Sequence, residues 1–525
     1  MQPYALTVDK FLDHAAKWHG AAEVVSAAGS TLRRTSYAQL RQRAALLSGA
    51  LLDQGLRLGD RVGTLAWNTE DHLTVSYATM GAGLVCHTLN PRLSITHLAA
   101  IVNEAQDRWI AVGAGLQPML REICDRCPCV QGVLVLDGEA PDPALPARLQ
   151  HAQLNRFIEQ SGRAVPWGRF DENSAAGLCY TSGTVGDPRG VLYSHRSNYL
   201  HTLRSLQADA VALTANDSVL IAVPLFHANG WGMPFAVPAV GARMVLPGRS
   251  VEPAHLRMLI ERESVTVAAG VPTVWLGLID LLESQGAQLP SLERIIVGGL
   301  HCPDALLHRM EDRLGVRVQT SWGMTELSPL GTITPPQAAS GSGPRASGRP
   351  PLGLDLKLVD AEGNTLPAQR GVVGRLRVKG PSVAERYYGD PTSALDEEGY
   401  LDTGDLALID AAGNLTVCGR VKDLIKSGGE WINPKEIEDI VGAMPAVAFA
   451  AVIGRNDEKW GERPVLVVEP QRGQSPSQSG ILAALRGKVP DWWLPERIVF
   501  IEHMPLAATG KIDKRVLREH VESSR

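Results

Sequence analysis

The sequence has no long hydrophobic run and little cysteine. None of its apolar stretches reaches the roughly 20 residues that a membrane-spanning helix needs, so we predict no transmembrane segment. Residues 1–10 lack a basic stretch followed by an apolar one, which is the pattern of a secretory signal. Seven of the 525 residues are cysteine, a sparse content that favours a reducing compartment. We therefore predict a cytoplasmic protein.

Neither sign of charge dominates. The 51 basic and 56 acidic residues give a formal net charge of −5. Because nucleic-acid-binding proteins need a basic excess to meet phosphate backbones, we predict no nucleic-acid partner. Hydrophobic residues at 44% and charged residues at 20% are typical of a globular protein, and no fixed-period repeat interrupts the chain.

The chain is too long for one ordinary core, and its pattern changes along its length. Between residues 20 and 300, β-branched runs such as 294–297 alternate with amphipathic stretches such as 37–52 and 254–262. This alternation predicts an α/β fold with buried sheets. Shorter strand signals, such as residues 374–380, then predict a small β-rich subdomain. Beyond Arg420, strands and a helix that starts at Asn433 predict a small C-terminal α/β domain.

Residues 180–191 carry the strongest functional signal. Their glycines allow backbone N–H groups to turn toward an anion, their hydroxyls add donors, and Arg189 adds a charged, two-pronged donor. The Walker A spacing is absent. The composition also fits a flexible Gly/Ser loop, but a strand-like run at 176–179 supports a loop held by a scaffold. We therefore interpret these residues as a polyphosphate-binding loop.

Residues 180–191 also resemble the signature of the adenylate-forming superfamily, which includes acyl-CoA synthetases, luciferases and peptide-synthetase adenylation domains. The usual pattern is Tyr-Thr-Ser-Gly-Thr-Thr-Gly-x-Pro-Lys-Gly-Val, and here Val185 replaces a threonine and Arg189 the lysine. Both differences fall where the family contacts the leaving pyrophosphate. Further segments are similar to the family's motifs in their usual order, namely residues 223–232, 297–303, 320–326, 402–405, 419–431 and 505–514.

The resemblance implies a nucleotide site for ATP and AMP. In it, the turn at 298–300 lies along adenine, the face of Trp322 stacks on the base, and Asp405 accepts both ribose hydroxyls. Thr325 donates to the α-phosphate. The implied ATP- and AMP-binding residues are Thr181, Ser182, Gly183, Thr184, Gly186, Arg189, Gly298, Gly299, Leu300, Ser321, Trp322, Gly323, Thr325, Asp405, Arg420, Lys426 and Trp431.

The resemblance also implies the catalytic groups. Lys511 holds the attacking carboxylate against the α-phosphate, and His227 lies near that carboxylate. Thr184 and Glu326 bind Mg²⁺, a cation that needs few protein ligands because phosphates supply the others. By residue chemistry alone, a histidine is more often structural and a terminal lysine is more often solvated. The motif context favours the catalytic interpretation of both.

The same resemblance divides the chain into two moving parts. Residues 1–419 form the AMP-binding and acyl-binding domain, residues 420–424 a hinge with Lys422 at its pivot, and residues 425–525 a mobile C-terminal domain. Rotation about the hinge would remove Lys511 and admit a thiol. Without the motif, the basic and glycine-containing stretch at 419–431 would fit a surface turn equally well.

The acyl pocket is harder to interpret. The resemblance implies that His227, Gly230, Trp231 and Val297 line it, with Trp231 as a gate, although an aromatic residue there fits ordinary core packing equally well. Aspartate is absent from residues 225–235, which weighs against an amino-acid substrate. The segments at 63–68, 87–93 and 193–198 most resemble those of fatty-acyl and methylthiopropionate ligases.

We therefore predict an acid–CoA ligase that uses ATP, a carboxylic acid and CoA. A medium-chain fatty acid is favoured over methylthiopropionate or an aromatic acid. A carrier-protein-loading ligase, a luciferase-like enzyme and a non-catalytic binding module remain alternatives. A homodimer is the family-level expectation.

The variant Lys511→Ala separates the two half-reactions. Removal of the Lys511 ammonium group should abolish acid-dependent pyrophosphate release, because the attacking carboxylate loses its positively charged partner. Thioester formation from supplied acyl-AMP should persist. Both rates can be measured on one preparation, and survival of pyrophosphate release would disprove the role of Lys511.

Overall fold

The computed structural model describes residues 1–29, 31–181, 188–300, 302–337, 346–428, 430–471, 473–506 and 512–523. Among these residues, no helix is both long and apolar enough to cross a membrane.

The strands follow one another along the whole described chain. They are β1 (Glu23–Ala28), β2 (Thr31–Ser36), β3 (Arg61–Leu65), β4 (Val85–Leu89), β5 (Asp107–Val112), β6 (Gly132–Val135), β7 (Gln150–Gln153), β8 (Ala175–Tyr180), β9 (Gly190–Ser194), β10 (Ser218–Ile221), β11 (Arg243–Leu246), β12 (Val267–Gly270), β13 (Arg294–Val297), β14 (Arg317–Gly323), β15 (Leu330–Ile333), β16 (Asp355–Val359), β17 (Val373–Lys379), β18 (Leu401–Ile409), β19 (Leu415–Arg420), β20 (Ile425–Ser427), β21 (Glu430–Ile432), β22 (Val447–Asp457), β23 (Gly461–Pro470) and β24 (Arg497–Phe500).

Helices alternate with these strands in the first part of the chain. They are α1 (Asp9–Trp18), α2 (Tyr37–Asp53), α3 (Glu70–Gly81), α4 (Ile95–Ala105), α5 (Gln117–Arg126), α6 (Leu154–Ser161), α7 (His195–Ser205), α8 (Ala228–Trp231), α9 (Met233–Val240), α10 (Pro253–Arg262), α11 (Pro272–Gln285), α12 (Asp304–Leu314), α13 (Pro434–Gly442), α14 (Gln478–Leu485) and α15 (Lys514–Ser523). Single 3₁₀ turns lie at Thr325–Leu327, Val421–Asp423 and Asp491–Trp493.

Two large sheets form the N-terminal part of the described chain. One has the strand order β15-β14-β13-β12-β10-β11-β1-β2, and the other the order β7-β6-β5-β3-β4-β8-β9. Their central strands pair in parallel, as β10 with β12 and β3 with β4. The outer pair β6 with β7 is parallel as well, whereas β1 with β2, β14 with β15 and β8 with β9 are antiparallel. Parallel strands need helical crossovers and buried faces. The predicted α/β class is confirmed.

Local sequence signals explain several element boundaries. The predicted helix at 37–52 is α2, which begins where the Ser36 side chain accepts from Gln39 N and the Gln39 side chain accepts from Ser36 N. The predicted helix start at Asn433 is also confirmed, because the Asn433 side chain accepts from Lys435 N and Pro434 opens α13. These capping bonds join residues two or three positions apart, so such helix starts can be predicted from the local sequence.

Two smaller sheets follow. Strands β16 to β19 pair in sequence order as an antiparallel sheet, which is the predicted β-rich subdomain. Strands β20 to β24 form a separate sheet in which β23 pairs with β20, β22 and β24. Helix α13 packs on this last sheet through Ile437 and Val441, which are fully buried.

The buried Asn68 ties the two large sheets together beside the site. It follows β3, and its amide nitrogen donates to the carbonyls of Ile221 at 2.9 Å and Val223 at 2.7 Å. Its amide oxygen accepts from Leu225 N at 2.8 Å. These bonds fix the chain that leaves β10, which is the chain that reaches His227.

Substitution of Asn68 by alanine should lower the free energy of unfolding by about 2–4 kcal/mol, because buried carbonyls and an N–H lose their partners. Urea unfolding followed by tryptophan fluorescence measures the change. Replacement of the exposed Asn216 by alanine is the control, and an equal effect of both variants would contradict the role of Asn68.

Candidate active site

A cavity of about 560 Å³ opens at the carboxyl ends of the parallel strands β10, β12, β13 and β14. His227 follows β10, Val271 follows β12, Gly299 follows β13, and Ser321 and Gly323 end β14; all of them line the cavity. Loops that leave parallel strands at one edge form the usual ligand crevice of such sheets.

Many of the predicted site residues meet in this cavity. Those that line it are Thr181, Arg189, His227, Trp231, Gly299, Ser321, Trp322, Gly323, Thr325, Glu326, Arg420 and Lys422. Ser182, Gly183, Thr184, Gly186 and Lys511 lie outside the described residues. Ile512 and Lys514, which follow Lys511 closely, line the cavity as well.

The two ends of the phosphate loop are bonded to each other. Thr181 N donates to the Arg189 carbonyl at 2.9 Å, and Arg189 N donates to Thr181 Oγ1 at 3.0 Å. These bonds continue the antiparallel pairing of β8 and β9. Thr181 and Arg189, at the two ends of the loop, are therefore fixed to each other at the end of these strands. The strand-like run predicted at 176–179 lies within β8.

The glycine turn after β13 is shaped by close contacts. A Cβ atom on Gly298 would lie 2.4 Å from Ser321 Oγ and 3.2 Å from the Trp231 ring. Gly299 has a left-handed φ of 76°, which L residues with side chains rarely adopt. Ser321 Oγ in turn donates to the Val297 carbonyl at 3.0 Å. Glycine at 298 leaves room for the Ser321 hydroxyl and the indole, and glycine at 299 permits the left-handed backbone.

The ribose-binding candidate Asp405 is held from two sides. It is buried, and its Oδ2 accepts from Trp322 Nε1 at 2.9 Å. Its Oδ1 lies 2.7 Å from Arg420 Nε, and the two residues are cross-strand partners on β18 and β19. Charge-assisted bonds of this kind fix the carboxylate before a ligand arrives. Sequence reasoning expected Trp322 to stack on adenine, but it did not foresee the bond to Asp405.

Glu326 is a second buried carboxylate at the site. It is buried in the 3₁₀ turn Thr325–Leu327 and lines the cavity. The turn is fixed by Tyr193, whose hydroxyl donates to the Thr325 carbonyl at 2.7 Å. Glu326 Oε1 accepts from Tyr387 at 2.8 Å. A buried oxygen donor beside a phosphate loop has the chemistry that a hard divalent cation requires.

Part of the remaining lining is apolar and belongs to the main core. Val211, Met233, Ala236, Ile296 and Ile333 line the cavity and are members of one buried cluster. Trp231 packs against the same cluster and also lines the cavity. The cavity thus joins charged residues to an apolar wall.

The gate candidate Trp231 sits on an unusual backbone. Residues 228–232 all have positive φ angles, of 37°, 46°, 67°, 59° and 72° in order. Gly230, predicted for the acyl pocket, lies inside this left-handed turn. Asn229 anchors the turn, because its Oδ1 accepts from Cys179 at 2.8 Å and Thr88 at 3.2 Å. Such angles persist only where surrounding contacts hold them.

Residues from position 422 onward contribute further positive charge to the cavity lining. Lys422, Arg515 and Arg518 line the cavity, and burial lowers the pKa of Lys422. Lys426 and Trp431 are cross-strand partners on β20 and β21 and do not line the cavity as described. Trp431 is exposed, and Lys426 Nζ lies 5.5 Å from the centroid of its ring. The predicted nucleotide contacts of these two residues stay predictions.

Sequence reasoning missed Tyr387 and the apolar wall. Tyr387 lies in the loop between β17 and β18, outside every motif used above. The wall residues come from separate elements, including Val211, Met233 and Ile333, and apolar residues at such positions look like any core residue.

Comparisons with known proteins identify the family of the chain. Residues 11–388 match the family described as AMP-binding enzyme, and residues 436–511 match the AMP-binding enzyme C-terminal domain. The chain belongs to this family of AMP-binding enzymes, and the predicted resemblance is confirmed.

Similar curated proteins span nearly the same length. The chain is 42% identical to the 3-methylmercaptopropionyl-CoA ligase of Ruegeria lacuscaerulensis, over 99% of this chain and 98% of that protein. It is 40% identical to the medium-chain-fatty-acid–CoA ligase of Ectopseudomonas oleovorans, over 98% and 96%. Among solved structures, ATP-bound MatB from Rhodopseudomonas palustris is 26% identical with a TM-score of 0.86 and 99% of each chain covered.

Replacement of Trp322 by phenylalanine tests the bond to Asp405. The aromatic face remains, but the donor is lost, so the KM for ATP should rise about 5-fold to 10-fold, equivalent to about 1 kcal/mol. The KM for the acid, measured in the same assay, should not change. An unchanged KM for ATP would show that the bond does not contribute to nucleotide binding.

Proposed function

We propose that this protein is an ATP-dependent acid–CoA ligase that acts on a medium-chain aliphatic acid. The observation that carries the proposal is the continuity of one cavity, in which Arg189, Glu326 and Arg420 line a charged wall and Met233 and Ala236 an apolar one. An acyl chain needs the apolar wall and a triphosphate needs the charged one, while the carboxylate must meet the α-phosphate where they join.

The first half-reaction forms an acyl-AMP. An oxygen of the carboxylate attacks the α-phosphorus of ATP, a new oxygen–phosphorus bond forms, and the bond to pyrophosphate breaks. Both reactants are anions, so the protein contributes positioning and charge neutralisation. Lys511 and Arg189 supply positive charge in this proposal, Asp405 holds the ribose, and His227 lies beside the carboxylate.

Magnesium fits the residues of this site. Glu326 offers a buried carboxylate that lines the cavity near Thr325, and the second proposed ligand, Thr184, lies outside the described residues. Hard oxygen donors of this kind suit the ion, and ATP phosphates would complete its shell. When bound, the ion would neutralise charge on the phosphate oxygens.

The second half-reaction forms the thioester. The thiol of CoA attacks the acyl carbon, and AMP leaves with its phosphate oxygen. We propose that residues 425–525 rotate about the hinge at 420–424, with Lys422 at the pivot, so that Lys511 leaves and the thiol enters. The sheet β20 to β24, which is separate from the N-terminal sheets within the described residues, supports this division.

The choice of acid rests on the apolar wall and on the relatives. Val211, Met233, Ala236, Ile296 and Ile333 offer neither charge nor hydrogen-bonding side chains to the far end of an acid. A medium-chain alkyl tail meets that requirement. A methylthiopropionate tail, which is apolar and shorter, is the second candidate, because a 3-methylmercaptopropionyl-CoA ligase is 42% identical to the chain. A homodimer and a cytoplasmic location are parts of the same proposal.

The function is tested by a panel of acids with ATP and CoA, with AMP and thioester both measured. The panel contains straight-chain acids from propionate to dodecanoate, 3-methylthiopropionate and benzoate. The highest kcat/KM is expected for a medium-chain acid. A maximum at 3-methylthiopropionate would favour the second candidate. AMP without thioester would indicate a carrier-loading ligase, and no AMP with any acid would overturn the proposal.

The variant Ala236→Phe should shorten the acyl site. The larger phenylalanine side chain would occupy part of the cavity beside the apolar wall. A long acyl chain would then no longer fit, so kcat/KM for octanoate should fall at least about 10-fold. The value for 3-methylthiopropionate in the same variant should change little, which separates a shorter site from a damaged fold. Equal losses for both acids would contradict the assignment of Ala236 to the acyl wall.

A further inference from the structure

Tyr387 contacts two residues of the phosphate region. Its hydroxyl donates to Glu326 Oε1 at 2.8 Å. The guanidinium carbon of Arg189 lies 3.7 Å from the centroid of its ring. Glu326 and Arg189 both line the cavity. One side chain therefore links the buried carboxylate on the 3₁₀ turn to the cation at the end of the phosphate loop.

The backbone around Tyr387 is bonded to the same two elements. Ala384 N donates to the Glu326 carbonyl at 2.8 Å, and Tyr388 N donates to the Gly190 carbonyl at 2.7 Å. A Cβ atom on Gly190 would lie only 2.8 Å from Tyr388 Cβ, so glycine permits this close approach. The segment 384–388 thus spans from the turn that holds Glu326 to the strand that follows Arg189.

The Tyr387 side chain is also held by packing. It lies against a small buried cluster of Cys179, Val191 and Tyr193. This packing and the hydrogen bond to Glu326 together hold the ring and the hydroxyl in place.

This arrangement gives a physical reason for arginine at position 189. A planar guanidinium stacks on an aromatic face and still offers N–H groups at its edge, whereas an ammonium group is a compact point charge with a stronger hydration shell. The ring of Tyr387 thus suits Arg189 better than the lysine of the usual motif.

We propose that Tyr387 is a positioning residue for the triphosphate: it orients Glu326 by a hydrogen bond and Arg189 by stacking, so that carboxylate and cation face the same metal–nucleotide complex. This inference rests on the proposed function, because that function assigns ATP to the cavity. Tyr387 acts through its two neighbours and is not itself assigned a contact with ATP.

The first test is equilibrium binding of Mn²⁺·ATP to the full chain, measured by electron paramagnetic resonance of the manganese. Tyr387→Phe keeps the ring and removes the donor, so the Kd should rise about 5-fold to 10-fold. Tyr388→Phe is the matched control, since that hydroxyl points to the Ala105 carbonyl at 3.5 Å. The control should leave the Kd unchanged.

A double-mutant cycle then tests the path through Glu326. In a Glu326→Gln background, Tyr387→Phe should change the Kd by less than about 2-fold, because the charged acceptor is gone.

A second double-mutant cycle tests the stacking of Arg189 on the ring of Tyr387. Arg189→Lys should raise the KM for ATP about 3-fold to 10-fold in the natural protein but not in a Tyr387→Leu background, where the ring is absent.

Additive effects in both cycles would overturn the proposal, as would equal effects of Tyr387→Phe and Tyr388→Phe. Circular dichroism melting of each variant shows whether it is folded, and the conservative Tyr387→Phe variant retains the packing of the ring.

Failure of the proposed ligase function would give a different experimental result. If the natural protein binds Mn²⁺·ATP but forms no acyl-CoA, the ligase proposal fails while the coupling through Tyr387 can still be measured.

Discussion

The parallel pairing of β10, β12, β13 and β14 is the constraint on which the site depends. Parallel strands all end at one edge, so every loop that follows them leaves the core at the same place. His227, Gly299 and Ser321 are far apart in sequence but share that edge. The sheet thereby brings together groups that have no local reason to meet.

Around the site, buried charge is stabilised by partners rather than avoided. Asp405 is bonded by Trp322 and Arg420, and Glu326 by Tyr387. A buried carboxylate without partners would be costly or would become protonated. The same bonds fix the direction of each carboxylate before a nucleotide binds. Stability and preorganisation therefore have one physical origin here, since each contact that lowers the cost of burial also limits the freedom of the group.

The division between charged and apolar lining follows from where each wall originates. The apolar wall, with Met233, Ala236 and Ile333, is a surface of the main hydrophobic core. Much of the charged wall comes from the loop at Arg189, from Arg420 at the end of β19 and from helix α15. A core surface cannot carry unpaired charge, whereas loops and a terminal helix can, because water reaches them.

Sequence patterns were enough to predict the α/β class, the β-rich subdomain, the helix starts at Tyr37 and Pro434, and the family, because capping, periodicity and short motifs act over a few residues. Several residues of the predicted ATP motifs also meet in one cavity, among them Arg189, Trp322 and Glu326, whereas Lys426 and Trp431 do not line it. The three-dimensional fold was needed to find the apolar wall, the bond from Trp322 to Asp405, and the position of Tyr387. These depend on contacts between elements distant in sequence, as with Trp322 and Asp405, which are 83 positions apart. No local pattern encodes such contacts, since each residue's own neighbours along the chain are compatible with many partners.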